Sequence, residues 1–249
     1  MTKVYFISGA NRGIGFNIAK ILAQRPDVKV ITTARNVEAA KELAELKAST
    51  GKVEILQLDV SSEESIDALD AQLKKVAEDG VDVFISNAGI SDSYSTVLEA
   101  PRKVWTHHYT TNALGPILLF QVLYPYLLKK KTRQISFIST GAASIGAYIP
   151  FSSSAYGQSK AALNYSVKEI SSELDAEEFT VIALSPGMVT TDMGQDAFKR
   201  IADPVVLQSL KDMSITPEVS ATSQIEVYDK LTRESNGKFL SFDGTELVW

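Results

Sequence analysis

Short apolar runs separated by longer stretches of helical spacing recur from one end of this chain to the other. No other feature limits the possible folds as strongly. The runs are Val4–Ile7, Val28–Thr33, Val53–Leu58, Val81–Ser86, Ile135–Ser139, Val181–Leu184 and Phe239–Phe242, bounded by Gly, Asn, Asp or Ser. Between the first two, Ile14, Ile18, Ile21 and Leu22 repeat with the spacing of one helix face. Ser61-Ser-Glu-Glu64, ahead of Ile66 and Leu69, has the pattern of a capping box. Pro101 and Pro217 stand where helices can begin, because a missing N–H costs nothing there. Strand, helix, strand, helix in this order predicts a doubly wound α/β fold, a parallel sheet of about seven strands with helices on both faces. With 249 residues and no internal repeat, low-complexity tract or Gly/Ser linker, a single domain over 1–249 is expected. Segment 187–215 is weakly periodic, with scattered Gly, Asp and Met, and reads as a mobile insertion over a site.

Composition removes several function classes. Lys and Arg number 25 against 30 Asp and Glu, a net charge of −5, so no broad basic field exists to hold a phosphate backbone. Nucleic acid is therefore not expected as a main partner. Cysteine is absent, which removes disulfides, thiolate nucleophiles and thiolate metal sites. The opening strand is too short for the apolar region of a signal peptide. The most membrane-like stretch, Ala113–Leu128, is interrupted by Gly115, Pro116 and Pro125. As a helix it would reach roughly 24 Å, short of the ~30 Å hydrocarbon core. A core helix, no membrane partner and a cytoplasmic setting are expected, the nucleus being equally compatible.

Directly after the first run comes Ser8-Gly9-Ala10-Asn11-Arg12-Gly13-Ile14-Gly15, then the first helix. Glycines at such a turn let the backbone approach a pyrophosphate held by the free N–H groups of the helix N-terminus. The Gly-x3-Gly-x-Gly spacing differs from the commonest dinucleotide fingerprint, and a purely structural strand-to-helix turn is the competing reading. About 20 residues past the glycines, an NAD site places a carboxylate for the ribose 2′-hydroxyl. This chain has Thr33-Ala34-Arg35-Asn36 there. Arg35 and Arg12 could clamp a 2′-phosphate with no acid at position 34 to repel it, which points to NADP(H). Two solvated surface arginines are the alternative.

Taken with motifs downstream, these residues resemble the short-chain dehydrogenase/reductase family from Val4 to Gly244. The matches are the glycine loop, Asp59-Val60, Asn87-Ala88-Gly89, Asn112, Tyr156-Gly-Gln-Ser-Lys160, Pro186-Gly187-Met-Val-Thr-Thr191 and Asp243-Gly244. Within the family the chain is most similar to the sepiapterin- and benzil-reductase-like carbonyl reductases. The resemblance implies a Rossmann-like fold and NADP(H) as cofactor. It also implies a catalytic set of Asn112, a hydroxyl at Ser139 or Thr140, Tyr156 and Lys160. Asp59 and Val60 would reach the adenine, Asn87 to Gly89 would border the cofactor beside Pro186 and Gly187, and Val189 with Thr191 would bind the carboxamide. Asn112 would organise a water chain for proton supply, and Lys160 would also hold the nicotinamide ribose. Tyr156 and Lys160, four apart, share a helix face. A tyrosine of ordinary pKa near 10 is a poor proton carrier at pH 7, and a neighbouring ammonium moves it toward the useful range. The plain alternatives are a helix-capping Asn112 and a half-buried aromatic at Tyr156.

The chain departs from the family at three places. Ser8 replaces a threonine, Ser86-Asn87 replaces paired asparagines, and Ser139-Thr140 replaces Ser-Ser with a longer interval to Tyr156. Thr140 maps onto the family's acting serine, with Ser139 and Ser144 as competitors. His107 and His108 are adjacent, so they face different ways on a helix and suit no metal site. Lys129 to Lys131 with Arg133 reads as a solvated cap at a helix end. Tyr94, Tyr148, Ile149 and Phe151, with parts of 189–213, are expected to form an apolar substrate wall. Together these readings predict NADPH-dependent reduction of an apolar or aromatic ketone, diketone or aldehyde by a homodimer or homotetramer. A non-catalytic NADPH-binding sensor or scaffold, and a dehydratase or epimerase, are the alternatives.

Overall fold

The computed structural model describes residues 2–92, 95–148, 153–201 and 203–249. Elements alternate as β1 (Lys3–Ile7), α1 (Gly13–Ala23), β2 (Val28–Ala34), α2 (Lys41–Thr50), β3 (Val53–Gln57), α3 (Glu63–Asp67), α4 (Leu69–Val76) and β4 (Val83–Ser86). The chain continues as α5 (Arg102–Tyr109), α6 (Gly115–Leu128), β5 (Gln134–Ile138), α7 (Ser154–Glu173), β6 (Thr180–Ser185), α8 (Asp192–Phe198), α9 (Pro204–Asp212), α10 (Pro217–Lys230) and β7 (Phe239–Ser241). All seven strands form one sheet in the order β3-β2-β1-β4-β5-β6-β7, with every neighbouring pair parallel. Period-two alternation divides the core. Phe6, Phe84 and Phe137 point to one face, where α3, α4, α6 and α7 cover them through Ile66, Leu73, Leu123 and Val167. Tyr5, Ile7 and Ile85 point to the other face, under Ile18 and Leu22 of α1 and Ile225 and Tyr228 of α10. The phenylalanines stack edge to face across strands, Phe6 to Phe84 at 5.8 Å and Phe84 to Phe137 at 5.9 Å.

Strand order reverses between β1 and β4, since the chain first winds outward to β3 and then crosses back. Such a switch point opens a crevice at the carboxyl ends of its two strands. The loops that leave β1 and β4 are the glycine loop and Asn87-Ala88-Gly89. The apolar stretch at 113–128 lies within a helical run from Arg102 to Leu128, which is long and apolar enough to cross a membrane, although 56% of its apolar window is buried inside the protein. One local expectation is corrected. Ser62, not Ser61, caps α3 by accepting from Ser65 N, because Ser61 is turned to Asp59. Within segment 187–215 the described residues include α8 and α9, capped by Thr191 and Asp203. Its weak periodicity reflects burial, for α9 has no buried residue and only Phe198 is buried in α8.

Candidate active site

One cleft of about 820 Å³ runs along the carboxyl edge of the sheet, from Arg35 past the glycine loop to Tyr156 and Lys160. The first wall is local geometry. Gly9 adopts φ +66°, and a Cβ there would lie 2.9 Å from Ala88, so the two loops can meet this closely only over a glycine. Ser8 Oγ accepts from Asn87 N and Ala88 N, while Asn87 Nδ2 donates to Ser8 O and Gly9 O. Hence the Ser8 hydroxyl and the Asn87 side chain together brace the two switch-point loops. Gly9, Asn11, Arg12, Gly13, Ile14, Asn87, Ala88 and Gly89 all line the cleft, whereas Gly15 is buried behind it.

At the end where the sequence places the cofactor's ribose, Arg35 lines the cleft and Asn36 does not; Asn36 Oδ1 instead accepts from Ala39 N in a turn. Arg12 pairs with Asp192 at 2.7 Å, linking the glycine loop to α8. Glu42 adds a carboxylate to this end that sequence spacing does not flag, because it comes from α2. Asp59 and Val60 follow β3 as expected. Burial pushes the Asp59 carboxyl up, but hydrogen bonds from the Ser61 hydroxyl and amide, with the charges of Arg35 and His107, hold it below the usual range. Thr111, also missed by sequence reasoning, lines the cleft with its Oγ1 buried and unpartnered among the described residues. A dinucleotide fits this arrangement: a close-approach glycine cradle, the Arg35 cation at one end of the cleft and a buried orphan hydroxyl on its wall.

At the other end, α7 carries Tyr156 and Lys160 into the cleft on one face. Lys160 is wholly buried and donates to Ile138 O at 2.7 Å; burial pulls its ammonium down to about 8. A Cβ on Gly89 would lie 3.1 Å from Asn112 Oδ1 and 3.4 Å from Lys160 Nζ, so these groups converge on one point. Asn112 sits in a π-helical turn, Thr110–Leu114, between α5 and α6. Its side chain is fully used, accepting from Ile90 N and donating to Ile90 O and Ser159 Oγ. The side chain therefore fixes the loop after β4 against α7.

The three candidate hydroxyls separate by their partners. Ser139 borders the cleft, but it is 1% exposed and its hydroxyl donates to Asn164 Oδ1 at 2.6 Å. Thr140 does not line the cleft directly; its Oγ1 accepts from Ala142 N, which leaves the hydroxyl proton uncommitted among the described residues. The turn it caps, Gly141–Ala143, packs on α7 where a Cβ at Gly157 would lie 3.1 Å from Ala142 O, one residue past Tyr156. Ser144 is buried and engaged with Ala147 N and Trp249 O, away from the cleft. Pro186, Thr190 and Thr191 line the cleft, while Gly187 and Val189 do not; Val189 is buried and bridges Ile215. Thr191 Oγ1 accepts from Gly194 N as the cap of α8. Tyr94, Ile149 and Phe151 of the expected substrate wall lie outside the described residues. His107 lines the cleft and His108 is buried, and no group of three metal-ligating side chains occurs among the described residues.

A family model described as short chain dehydrogenase matches residues 3–202. An uncharacterized oxidoreductase of Saccharomyces cerevisiae is 49% identical over 249 residues, covering 98% of this chain and 97% of the relative. Among solved structures, the carbonyl reductase Sniffer of D. melanogaster superposes with a TM-score of 0.87 at 29% identity, covering both chains fully. An NADPH-bound carbonyl reductase from chicken fatty liver gives 0.88 at 28% identity, covering 100% of this chain and 94% of that one.

Proposed function

The chain belongs to the short-chain dehydrogenase family, and from that premise we propose that this oxidoreductase reduces a carbonyl compound to an alcohol with NADPH, Tyr156 donating the proton. One observation carries the reading: a single cleft joins the glycine loop and Arg35 to the Tyr156–Lys160 face of α7. NADPH, when bound, supplies the hydride. The glycine loop and the N-terminus of α1 offer N–H groups to its pyrophosphate, and Arg35, with Arg12, offers charge to its 2′-phosphate. The Lys160 ammonium beside Tyr156 favours the phenolate left after the proton has gone to the carbonyl oxygen. Thr140 stands next to the cleft-lining Ser139 and keeps its hydroxyl proton uncommitted among the described residues, which makes it the candidate to orient that oxygen. An NADPH-bound carbonyl reductase among the structural relatives supports this choice of cofactor.

The substrate is an apolar or aromatic ketone, diketone or aldehyde. Met193, on the segment after β6, lines the cleft, and Ile145 and Tyr148 are exposed on the loop before α7, which supports an apolar substrate. Residues 187–215 form the lid over it, and the enzyme works as a homodimer or homotetramer. A panel of carbonyl compounds assayed with NADPH and NADH tests the reading: NADPH should be consumed as alcohol forms, and more efficiently than NADH. Arg35→Ala should weaken NADPH binding by roughly one to two decades, the loss of a charge-assisted contact, and leave NADH nearly unchanged. Tight NADPH binding without turnover would favour a sensor, and conversion without net NADPH consumption a dehydratase or epimerase.

A further inference from the structure

Four polar side chains that the reaction does not use form one buried file through the core. Ser136 of β5, and Ser220, Gln224 and Tyr228 of α10, are each 0–1% exposed. Ser136 Oγ donates to the Tyr228 hydroxyl at 3.4 Å, Tyr228 donates to Gln224 Oε1 at 3.0 Å, Gln224 Nε2 donates to Ser220 Oγ at 2.9 Å, and Ser220 donates to Pro186 O at 2.7 Å. The three α10 residues are four apart, so they rise along one helix face, and every bond runs in the same sense toward Pro186. Burial raises the Tyr228 pKa, which keeps the phenol protonated and donating. Polar groups are costly in a core that Leu or Ile could fill, unless each finds a partner, and bonds aligned head to tail strengthen one another. The file ends on the turn after β6, whose Pro186 lines the cleft and, lacking an N–H, offers its carbonyl as its only backbone handle.

We propose that Ser220 is a positioning residue for the nicotinamide half of the cofactor: with Gln224 and Tyr228 behind it, it fixes the Pro186 carbonyl and the turn that lines the same cleft as Tyr156 and Lys160. This rests on the NADPH reading above. The experiment compares wild type with Ser220→Ala, Gln224→Met and Tyr228→Phe, measuring thermal stability, kcat and KM for NADPH, and the Kd of NADPH and of adenosine 2′,5′-bisphosphate, which has no nicotinamide. Ser220→Ala should lower kcat/KM for NADPH by about tenfold or more, since misplacing a reacting group costs on this scale. Gln224→Met and Tyr228→Phe should lower it progressively less with distance along the file, and the bisphosphate should bind all four proteins alike. Should Ser220→Ala fail to fold, the other two variants carry the same split. Variants that lose stability while kcat/KM holds, or that weaken NADPH and bisphosphate equally, would overturn the assignment. A wild type that binds bisphosphate and NADPH equally well would overturn it too. A wild type that binds neither would remove the cofactor reading itself, and the positioning role with it.

Discussion

Thr140 and Ser139 are neighbours in sequence with opposite fates, and the difference is one hydrogen bond. Ser139 spends its proton on Asn164, a buried side chain whose Nδ2 has no partner among the described residues, so Ser139→Ala would leave a second polar atom of Asn164 unsatisfied. That variant is expected to lose about 1–3 kcal/mol of stability and little rate. Thr140→Ala is expected to lose on the order of 10² in kcat with its fold intact, as removal of a donor to a developing oxyanion does. Steady-state kinetics and denaturant titration of both variants check the pair; the reverse pattern would make Ser139 the acting hydroxyl. Lys160 makes a second prediction. Its ammonium titrates near 8 when folded and near 10.5 when exposed. Between those values the unfolded chain holds the extra proton, so raising the pH there favours the folded state, while below about 8 the full burial penalty is felt. The stability of wild type relative to Lys160→Met should therefore improve from pH 8 to 10.5 in urea titrations. A difference that stays flat with pH would contradict it.

Elements show where sequence patterns carry structural information and where they do not. The strands were legible because burial on both faces leaves near-continuous apolar runs, and all seven strands coincide with those runs to within two residues at either end. The seventh, β7, keeps only Phe239 to Ser241, since Phe242 packs instead against Gly187 in the loop after β6. Helices α8 and α9 left little periodic trace because they bury almost nothing, although Thr191 and Asp203-Pro204 carried their capping signal. The π-helical turn around Asn112 had no pattern of its own, for it arises where the helical run passes the loop after β3. There Gly115 lies so close to Val60 that a Cβ would collide with the Val60 carbonyl oxygen and lie 3.1 Å from Thr110 O. Gly115→Ala should cost about 1–3 kcal/mol through this overpacking and loosen the Asp59-Val60 wall. Thermal unfolding reads it, and an unchanged Tm would show that the contact yields freely.

At the scale of the whole molecule, function follows from topology. The reversal of strand order between β1 and β4 creates the crevice, and three sequence-distant loops deliver the glycine turn, the Asn87 brace and the Pro186 turn to it. Most of the site was visible in the sequence because backbone-approach glycines and the Tyr156–Lys160 spacing are local. Glu42, Thr111, the Arg12–Asp192 pair and the Ser136-to-Pro186 file were not, because each depends on segments that only the packed fold brings together. The central claim is that the cleft reduces carbonyls with Tyr156 as proton donor. It is tested most directly by following NADPH absorbance in wild type and Tyr156→Phe with the best substrate of the carbonyl panel, alongside NADPH binding to each. The Phe ring fills the same space, so the expected result is unchanged NADPH affinity with turnover abolished. A Tyr156→Phe enzyme that keeps about a third of the wild-type rate, where loss of an acid–base group should cost 10² or more, would contradict the account.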